Sequence, residues 1–569
     1  MVRINIYLLK TNVHETFHYS IENSEIKINK QSVFDDDVCL YNEQGIIQHI
    51  TQLKKEPKKL IKAESQYEIY YRNDKLYTPD WVKFWELSET IKQQTADAVV
   101  ILNIGRRKLA ICHGHSQHLI NPYAKEPYFG LWTAVNMIDP KKVNSADVFS
   151  PSELSLKKRI KSDVGTEFAY LGINTLNTLL KNIAGHVTQE YQKYIKYLDA
   201  ADNLKFNYSE TPSRLTTILK EFLTIYKLDN YKKTVFSYLD NFIPVKDKSK
   251  IEELDCLLVK AINEQSRNLK ICTPIDMDHS GAICFSIGSS SSLNCFYEFD
   301  IAKILYEKLS NKEITIENIN EIKKLKLFIH DQSDVKKTIN KFPLYHCLYY
   351  ERMEEEKWFF LESGVWYHVD KKFSDSIEKE VSDLLTNHLT YNLKFNKYRL
   401  RIKYSKDKTD TDKYENWFNK ELSTLLKSQG NSVLLDAKTI QMGGYDKVEA
   451  CDVLFKDKDD NTYLFHNKYD YGSSALSHLF SQGNVSAELL TNPEFRTKLN
   501  CKIPDKNLQF AIDDNFNPKD YTVVYGIITK PNAKNTYSIP LFSKINLKIF
   551  IDSLRSKSYK YKICFFEEE

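Results

Sequence analysis

The stretch that decides the fold of the C-terminal third is EACDVLFKDKDDNTYLFHNKYDYGSSALSHLFSQGNVSAELL, residues 449–490. It opens with two apolar runs, 449–455 and 462–468, on either side of the polar segment 456–461. Short β-branched and aromatic runs separated by Asp, Asn and Lys are typical of a β-hairpin. We therefore expect two antiparallel strands joined by a turn.

The segments that flank this hairpin have helical and strand-like patterns. Downstream, apolar residues at helical spacing predict a helix over 475–490, with Ser473 or Ser474 as its N-cap. Upstream, residues 413–427 have an apolar stripe typical of a helix, and 432–440 resembles a strand. The predicted order is helix, strand, hairpin, helix.

One face of the hairpin carries polar chemistry. Residues two apart in a strand face the same way, so His466 and Lys468 project together. If the hairpin folds about Asp460, Asp452 lies across from Lys468 and Leu454 across from His466. We therefore expect a carboxylate, an imidazole and an ammonium group on one face.

This set of groups suits metal-dependent phosphodiester hydrolysis. That reaction needs anionic oxygens to hold Mg²⁺ and a cation that acts on water or on the charge at phosphorus. Asp452 would be the principal ligand and Lys468 the cation, while Glu421, in the preceding helix, would complete the site. Glu449 and Asp436 are further acidic candidates.

The arrangement resembles the PD-(D/E)XK nuclease superfamily, whose core is a helix, a strand meander carrying Asp and then (Glu/Asp)-x-Lys, and a following helix. The matching positions here are Asp452 and His466-Asn467-Lys468. His466 stands where the superfamily usually has a carboxylate, and imidazole suits Mn²⁺ better than Mg²⁺. The resemblance implies Mg²⁺ or Mn²⁺ held by Asp452, Glu421 and His466, or by the two carboxylates while His466 contacts water or phosphate.

The helix after the hairpin offers further candidates. His478 and Gln482 are four residues apart and share a helical face, which could point back toward the metal or a phosphate. Ser474 could bind a phosphate at the helix N-terminus, where backbone N–H groups favour anions. Solvent exposure or simple capping explains the same residues equally well.

A second resemblance extends over nearly the whole chain. Besides 449–490, the blocks IYLLK (6–10), YFGLWTAVNMIDP (128–140), WFFLESGVWYHVD (358–370) and LLDAK (434–438) are similar to those of a bacterial domain-of-unknown-function family of sporadically distributed proteins. Such a distribution resembles that of genes in mobile and defence islands. It implies a restriction-like or abortive antiviral role, with a phage component as a possible trigger.

A basic segment upstream predicts contact with nucleic acid. In LKFNKYRLRIKY, Lys397, Arg399, Arg401 and Lys403 alternate with Tyr, Leu and Ile, so a strand would place four cations on one face. A hydrated strand face or a charge-protected edge is the alternative. Basic residues recur near the C-terminus at Lys544, Lys548, Arg555, Lys557, Lys560 and Lys562.

Composition excludes several classes of protein. The 80 basic residues nearly balance 76 acidic ones, giving a net charge of +4, so any surface for a polyanion must be local. Gly (16) and Pro (15) are too few for a collagen-like or linker-rich chain. Residues 1–10 lack the core of a signal peptide, and no apolar run reaches the length of a membrane helix. We expect a cytoplasmic protein with no membrane partner.

These patterns predict an α+β multidomain fold. The expected segments are an N-terminal α+β domain (1–122), a mixed and largely helical region with a hairpin near 343–370 (123–390), and a PD-(D/E)XK-like α/β domain (391–569). The length of 569 residues is consistent with several domains.

The functional hypothesis is a metal-dependent endonuclease in antiviral defence, with DNA ahead of RNA as substrate. Its catalytic residues would be Asp452, His466, Lys468, Glu421 and Gln482. The first alternative is an inactive nuclease-like protein that binds nucleic acid or a phage component. The second is a zinc peptidase, because His14 and His18 form an HExxH pattern.

Overall fold

The structure is a computed structural model that falls into two compact units. Unit 1 comprises Met1–Phe149 and Lys158–Leu239, and unit 2 comprises Ser150–Lys157 and Asp240–Glu569. The boundary near residue 240 lies inside the predicted 123–390 segment, and the three-segment division stays a prediction. The structure describes residues 2–10, 19–22, 25–28, 60–63, 67–73, 78–79, 82, 92–93, 96–120, 124–151, 156–266, 268–273, 283–288, 301–405, 413–443, 446–470, 472–513, 515–531 and 536–569.

Unit 1 is built on a ten-stranded sheet in the order β4-β5-β6-β7-β1-β12-β11-β10-β8-β9. A separate two-stranded ribbon, β2-β3, accompanies it. The strands are β1 Val2–Leu8, β2 Tyr19–Glu22, β3 Glu25–Ile28, β4 Leu60–Ala63, β5 Tyr67–Asn73, β6 Ala96–Ile104, β7 Arg107–His113, β8 Ile138–Ser150, β9 Leu156–Thr166, β10 Leu179–Val187, β11 Tyr197–Ala200 and β12 Asn203–Tyr208. Helices α1 (Phe129–Val135) and α2 (Pro212–Ile225) pack on this unit.

The first part of unit 2 contains a five-stranded sheet in the order β13-β20-β19-β18-β14 and a three-stranded sheet, β15-β16-β17. The strands are β13 Phe242–Pro244, β14 Leu269–Ile271, β15 Ile283–Gly288, β16 Lys326–Asp331, β17 Thr338–Pro343, β18 Leu348–Glu354, β19 Lys357–Glu362 and β20 Val365–Val369. The helices are α3 Lys248–Asn263, α4 Ile301–Ser310, α5 Ile319–Lys324, α6 Leu344–Cys347 and α7 Lys371–Thr386.

The C-terminal part of unit 2 is a mixed sheet in the order β21-β24-β25-β26-β27, with a separate hairpin β22-β23. The β21/β24 and β24/β25 pairs are antiparallel, and the β25/β26 and β26/β27 pairs are parallel. The strands are β21 Gly430–Leu434, β22 Thr439–Gly443, β23 Asp446–Glu449, β24 Val453–Asp457, β25 Thr462–Tyr469, β26 Tyr521–Thr529 and β27 Lys560–Glu567. The helices are α8 Lys397–Tyr404, α9 Tyr414–Leu426, α10 Ser473–Leu489, α11 Pro493–Asn500 and α12 Leu541–Ser556.

Side chains on the two faces of this sheet enter two different cores. Along β25, Leu464 joins the core formed with α10 and α12, whereas Phe465 and Tyr469 join the core formed with α8 and α9. Alternation of this kind is the period of two expected of a strand with both faces buried. The sheet therefore fixes the position of β25 from both sides.

The predicted hairpin is present, but its register differs from the prediction by two residues. Leu454 pairs with Leu464, not with His466, and continuing the register places Asp452 opposite His466, not opposite Lys468. The Asp457 carboxylate accepts backbone N–H bonds from Asp459 and Asn461, each at 2.9 Å. This side-chain bonding centres the turn on Asp459, one residue before the predicted Asp460.

Two local predictions were wrong. Residues 397–404 form helix α8 and not a strand, because the Asn396 side chain caps the helix by accepting the Arg399 N–H at 2.9 Å. Helix α10 begins at Ser473 with Gly472 as its N-cap, so neither predicted serine occupies that position. The four cations of α8 therefore do not lie on one strand face.

The prediction of an α+β multidomain fold is confirmed by the mixture of sheets and helices in both units. None of the described helices combines the length and apolar composition needed to cross a bilayer. The C-terminal PD-(D/E)XK-like core stays a prediction.

The α8–α9 core gives a direct test of the fold. Phe418 is fully buried and contacts Phe395 and Phe566 with ring centroids 5.7 and 4.9 Å apart. We expect Phe418→Ala to lower the free energy of unfolding by about 3–5 kcal/mol, measured by denaturant titration, because it leaves a cavity. Tyr398→Ala, at a side chain 77% exposed in the same unit, should change it by less than about 0.5 kcal/mol. Equal effects would contradict the described core.

Candidate metal centre

Three carboxylates converge where β21, β23 and β24 meet. Asp436 follows β21, Glu449 ends β23 and Asp452 precedes β24. One carboxylate oxygen from each lies within 4.8 Å of the others. Among the described residues, no second group of three or more potential metal ligands comes together in this way.

Backbone hydrogen bonds hold two of these residues side by side. The Asp452 N–H donates to the Phe465 carbonyl at 2.8 Å, which fixes Asp452 against β25. The Asp452 carbonyl accepts the N–H groups of Leu435 and Asp436 at 2.8 and 3.0 Å. The segment that follows β21 is thus bonded to the start of β24. This bonding places the carboxylates of Asp436 and Asp452 next to each other.

Neutral donors orient the carboxylates. The side-chain amides of Asn416 and Asn419, both on α9, donate to Asp436 Oδ2 at 3.0 and 2.8 Å. The Asn467 backbone N–H donates to Asp452 Oδ2 at 2.6 Å, and its side-chain amide donates to Asn419 Oδ1 at 2.9 Å. Asn419 and Asn467 therefore link Asp436 and Asp452 in one hydrogen-bonded network.

The next strand leaves room for this network. A Cβ atom at Gly526, on β26, would lie 1.9 Å from Asn467 Oδ1. Only glycine lets the Asn467 side chain occupy its buried position between β26 and α9.

The pKa values of two acids of the cluster, Asp452 and Glu449, are shifted upward. Burial, followed by the charges of Asp436, Glu449 and Glu415, raises the pKa of Asp452 from 3.8 to about 8, although the Asn467 N–H lowers it. Burial and the charge of Asp436 raise the pKa of Glu449, against the opposing effects of Lys468 and an Ala437 backbone hydrogen bond. The site therefore favours bound protons or a bound cation.

Lys468 is held at the edge of the cluster by an acid that sequence analysis missed. Its Nζ lies 2.8 Å from Glu415 Oε2, and Glu415 Oε1 accepts the Tyr469 N–H at 3.0 Å. Both side chains of the ion pair are about 30% exposed. Glu415 and Asn419 are four apart on α9 and share a helical face, which was the signal in the sequence.

His466 does not join the ligand group. Its imidazole is buried, and burial lowers its pKa to about 4, so the ring is neutral. Among the described residues, its Nε2 atom has no hydrogen-bond partner. The structure thus places His466 within the core and brings Glu449, from a different strand, to the carboxylates.

Glu421 also lies outside the ligand group. It pairs with Lys403 at 2.6 Å and accepts a hydrogen bond from the Tyr404 hydroxyl. Although burial alone would raise it, these partners hold the pKa of Glu421 below its ordinary value. The helix that carries Glu421 is the predicted one, but its site-facing acid is Glu415.

The predicted residues of α10 line a cavity of about 340 Å³ beside the cluster. His478 and Gln482 face it together with Glu449 and Thr439. Burial and the charge of Lys468 lower the pKa of His478, which shows that its ring lies near that ammonium group. Ser474 is the second residue of the same helix, and its side chain lies outside the described residues.

Other predicted cations are engaged by acids. Near the C-terminus, Lys544 pairs with Glu378 at 2.5 Å, and Lys557 pairs with Glu488 at 3.2 Å. Lys548 likewise pairs with two acids, Glu380 and Asp552. His14 and His18, the proposed zinc pair, lie outside the described residues.

The donor set fits a hard divalent cation. Three carboxylate oxygens are ligands that Mg²⁺ and Mn²⁺ both accept, and no imidazole or thiolate takes part. A cation bound there would stabilise the charged forms of Asp452 and Glu449, against the burial and the mutual repulsion that raise their pKa values. The residues present are therefore compatible with the cofactor predicted from sequence.

A comparison with known families matches residues 4–567 to a family of unknown function, DUF6119. The chain belongs to DUF6119. No curated protein and no solved structure matches it. The acidic cluster, β25 and α10 all lie within the matched part of this DUF6119 chain.

The raised pKa of Asp452 predicts how stability depends on pH in metal-free protein. The unfolded chain ionises this group near 3.8 and the folded chain near 8, so its contribution to stability is lost as pH rises through that interval. We expect Asp452→Asn to flatten this part of the curve of Tm against pH in EDTA, and to make the protein more stable than wild type near pH 8.

Asp459→Asn, at an exposed turn residue of the same hairpin, is the matched control and should leave the curve unchanged. Added Mn²⁺ should raise the Tm of wild type more at the alkaline end than at the acidic end. Parallel curves for wild type and Asp452→Asn would contradict the shift.

The amide network predicts a positioning role for Asn419. Asn419→Ala leaves the buried amide of Asn467 without its acceptor and removes one of the two amides that bond Asp436 Oδ2. We expect a loss of about 1–3 kcal/mol in stability and about 10–100-fold in Mn²⁺ affinity, measured by calorimetry. Asn431→Ala, at an exposed residue of β21, should change neither quantity. Unchanged metal affinity in Asn419→Ala would refute this role.

Proposed function

We propose that this protein is a metal-dependent nuclease. The observation that carries the proposal is the acidic cluster Asp436, Glu449 and Asp452, with Lys468 close enough to influence Glu449 electrostatically. An oxygen-ligand cation site beside an ammonium group suits hydrolysis of a phosphodiester.

The order of elements supports a PD-(D/E)XK-like arrangement. Helix α9 precedes three antiparallel strands, and α10 then leads into the parallel strand β26. Asp452 lies at the start of the second of these strands and Lys468 near the end of the third. These are the positions at which that superfamily carries its Asp and Lys.

Each group has a distinct role in the proposed reaction. Asp436, Glu449 and Asp452 would hold Mg²⁺ or Mn²⁺. When bound, such a cation polarises a phosphoryl oxygen and lowers the pKa of bound water. Lys468 would offset charge that develops on phosphorus, and Glu415 would keep its ammonium group in place.

The cavity beside the cluster would admit the substrate. His478 and Gln482 offer hydrogen bonds along its wall, and the positive N-terminus of α10, which begins at Ser473, would favour a phosphate. Gln482 and His478 are thus retained as proposed contacts to substrate, whereas Glu421 and His466 lie outside the proposed metal shell.

The substrate and the biological setting are proposed from the charge of one helix and from the family resemblance. Nucleic acid is favoured by the cationic helix α8, and DNA stays ahead of RNA as a prediction from the nuclease resemblance. A role in antiviral defence, with a phage component as trigger, rests on the sporadic distribution that the family resemblance implies. The non-enzymatic alternative was based on His466 standing where a carboxylate is usual. Glu449, from a different strand, supplies a third carboxylate, so this replacement does not leave the site short of a ligand.

The test is cleavage of DNA and RNA by the full chain with Mg²⁺ or Mn²⁺. We expect Asp452→Asn and Lys468→Met each to lower the rate at least about 100-fold, because each removes charge stabilisation worth several kcal/mol. Glu421→Gln should retain activity, since its side chain lies outside the ligand group.

Asp459→Asn and Lys458→Met are matched controls, because they make the same charge changes at exposed positions of the same hairpin. Wild-type activity in both site variants would refute the nuclease assignment. Absence of cleavage by the wild type, together with salt-sensitive binding to nucleic acid, would favour the non-enzymatic alternative.

A further inference from the structure

Helix α8 presents an exposed apolar pair. The Tyr398 side chain is 77% exposed and that of Ile402 is 69% exposed. The two are four residues apart, and Arg401 lies three residues after Tyr398, so all three share one side of the helix. An exposed aromatic ring, with a guanidinium and an aliphatic side chain on the same side of the helix, offers a face on which a planar ring can stack.

The opposite side of α8 holds this surface in place through buried and capping contacts. Leu400 is buried in the α8–α9 core together with Phe395. The Lys397 ammonium lies 4.3 Å from the centre of the Tyr469 ring, and the Asn396 side chain caps the helix. Tyr398 and Ile402 thus point outward from a fixed helix, and their exposure does not stabilise the fold.

The charge around the surface favours an anion. Arg399 and Arg401 are exposed on α8. Among the described residues, Glu421 faces α8, and its carboxylate pairs with Lys403 at 2.6 Å. Two more acids, Glu567 and Glu569, lie near the start of α8 and pair with Lys394 at 3.3 and 3.2 Å.

Direct contacts connect α8 to the candidate metal centre. Lys397 lies over Tyr469, the Tyr469 N–H is bonded to Glu415, and Glu415 pairs with Lys468. The surface and the metal centre are therefore both at the C-terminal end of β25. A strand of nucleic acid that engages one can extend toward the other.

We propose that the α8 surface, defined by Tyr398, Arg399, Arg401 and Ile402, binds single-stranded nucleic acid with an unpaired base stacked on Tyr398. This inference deepens the proposed nuclease function and rests on it for its biological meaning. Bases inside a duplex are covered by their neighbours, so an exposed aromatic ring gains contact only with an unpaired base. The two arginines would contact the backbone phosphates.

Binding is tested without cleavage, using full-length protein that carries Asp452→Asn in EDTA. The probes are a fluorescent oligothymidylate of about 20 nucleotides, longer than a typical site of ~4–16, an abasic oligonucleotide of the same length, and a duplex. Fluorescence anisotropy should show oligothymidylate bound more tightly than either of the other probes.

Tyr398→Ala should weaken oligothymidylate binding about 5–100-fold and leave abasic binding unchanged, because it removes stacking only. Tyr398→Phe should bind as the parent does. Arg399→Ala and Arg401→Ala should weaken both single-stranded probes and lower the salt dependence of binding, which Tyr398→Ala should not change. Tyr170→Ala, at a tyrosine 79% exposed in unit 1, is the control and should have no effect.

Equal affinity for oligothymidylate and the abasic probe, or no effect of Tyr398→Ala, would overturn the inference and would indicate a non-base occupant such as an acidic protein segment. Cleavage by wild-type protein is scored separately. Cleavage without base-dependent binding would refute this inference alone, and base-dependent binding without cleavage would refute the nuclease proposal alone.

Discussion

Repulsion among three carboxylates is the constraint on which the account of this site depends. Two charges 4.8 Å apart repel by roughly 3 kcal/mol at an effective dielectric constant of ~20, whereas a hydrogen bond contributes about 1 kcal/mol net. The amides of Asn416 and Asn419 can therefore orient the acids but cannot neutralise them. The Lys468 ammonium group is already paired with Glu415. The charge of the three carboxylates must therefore be neutralised by protons or by a bound cation.

The surrounding sheet holds these mutually repelling carboxylates together. Apolar side chains on both faces of β25 fix that strand, and its backbone then holds Asp452 through Phe465 and Asn467. Gly526 makes room for the Asn467 side chain, which extends the support to α9. The stability of the two cores thus offsets the cost of placing three acids together, as is common where function constrains a fold.

Local patterns in the sequence were sufficient for some features and not for others. Period-two and helical spacing correctly predicted the hairpin and α10, because both elements bury regular apolar faces. Hairpin register depends on how the Asp457 side chain bonds the turn, which apolar alternation does not encode. Residues 397–404 alternate like a strand, yet only Leu400 is buried there, so capping by Asn396 decides in favour of a helix. The choice between Glu415 and Glu421 required knowing which side of α9 meets β25.

The most direct test of the central claim is the coordination of Mn²⁺, measured by pulsed electron paramagnetic resonance on the purified full-length protein. The account predicts stoichiometric binding through carboxylate oxygens, with no nitrogen coupling from an imidazole. Binding should be lost in Asp452→Asn and retained in Glu421→Gln. Nitrogen coupling that disappears in His466→Ala, or the absence of stoichiometric binding, would contradict a metal centre formed by Asp436, Glu449 and Asp452.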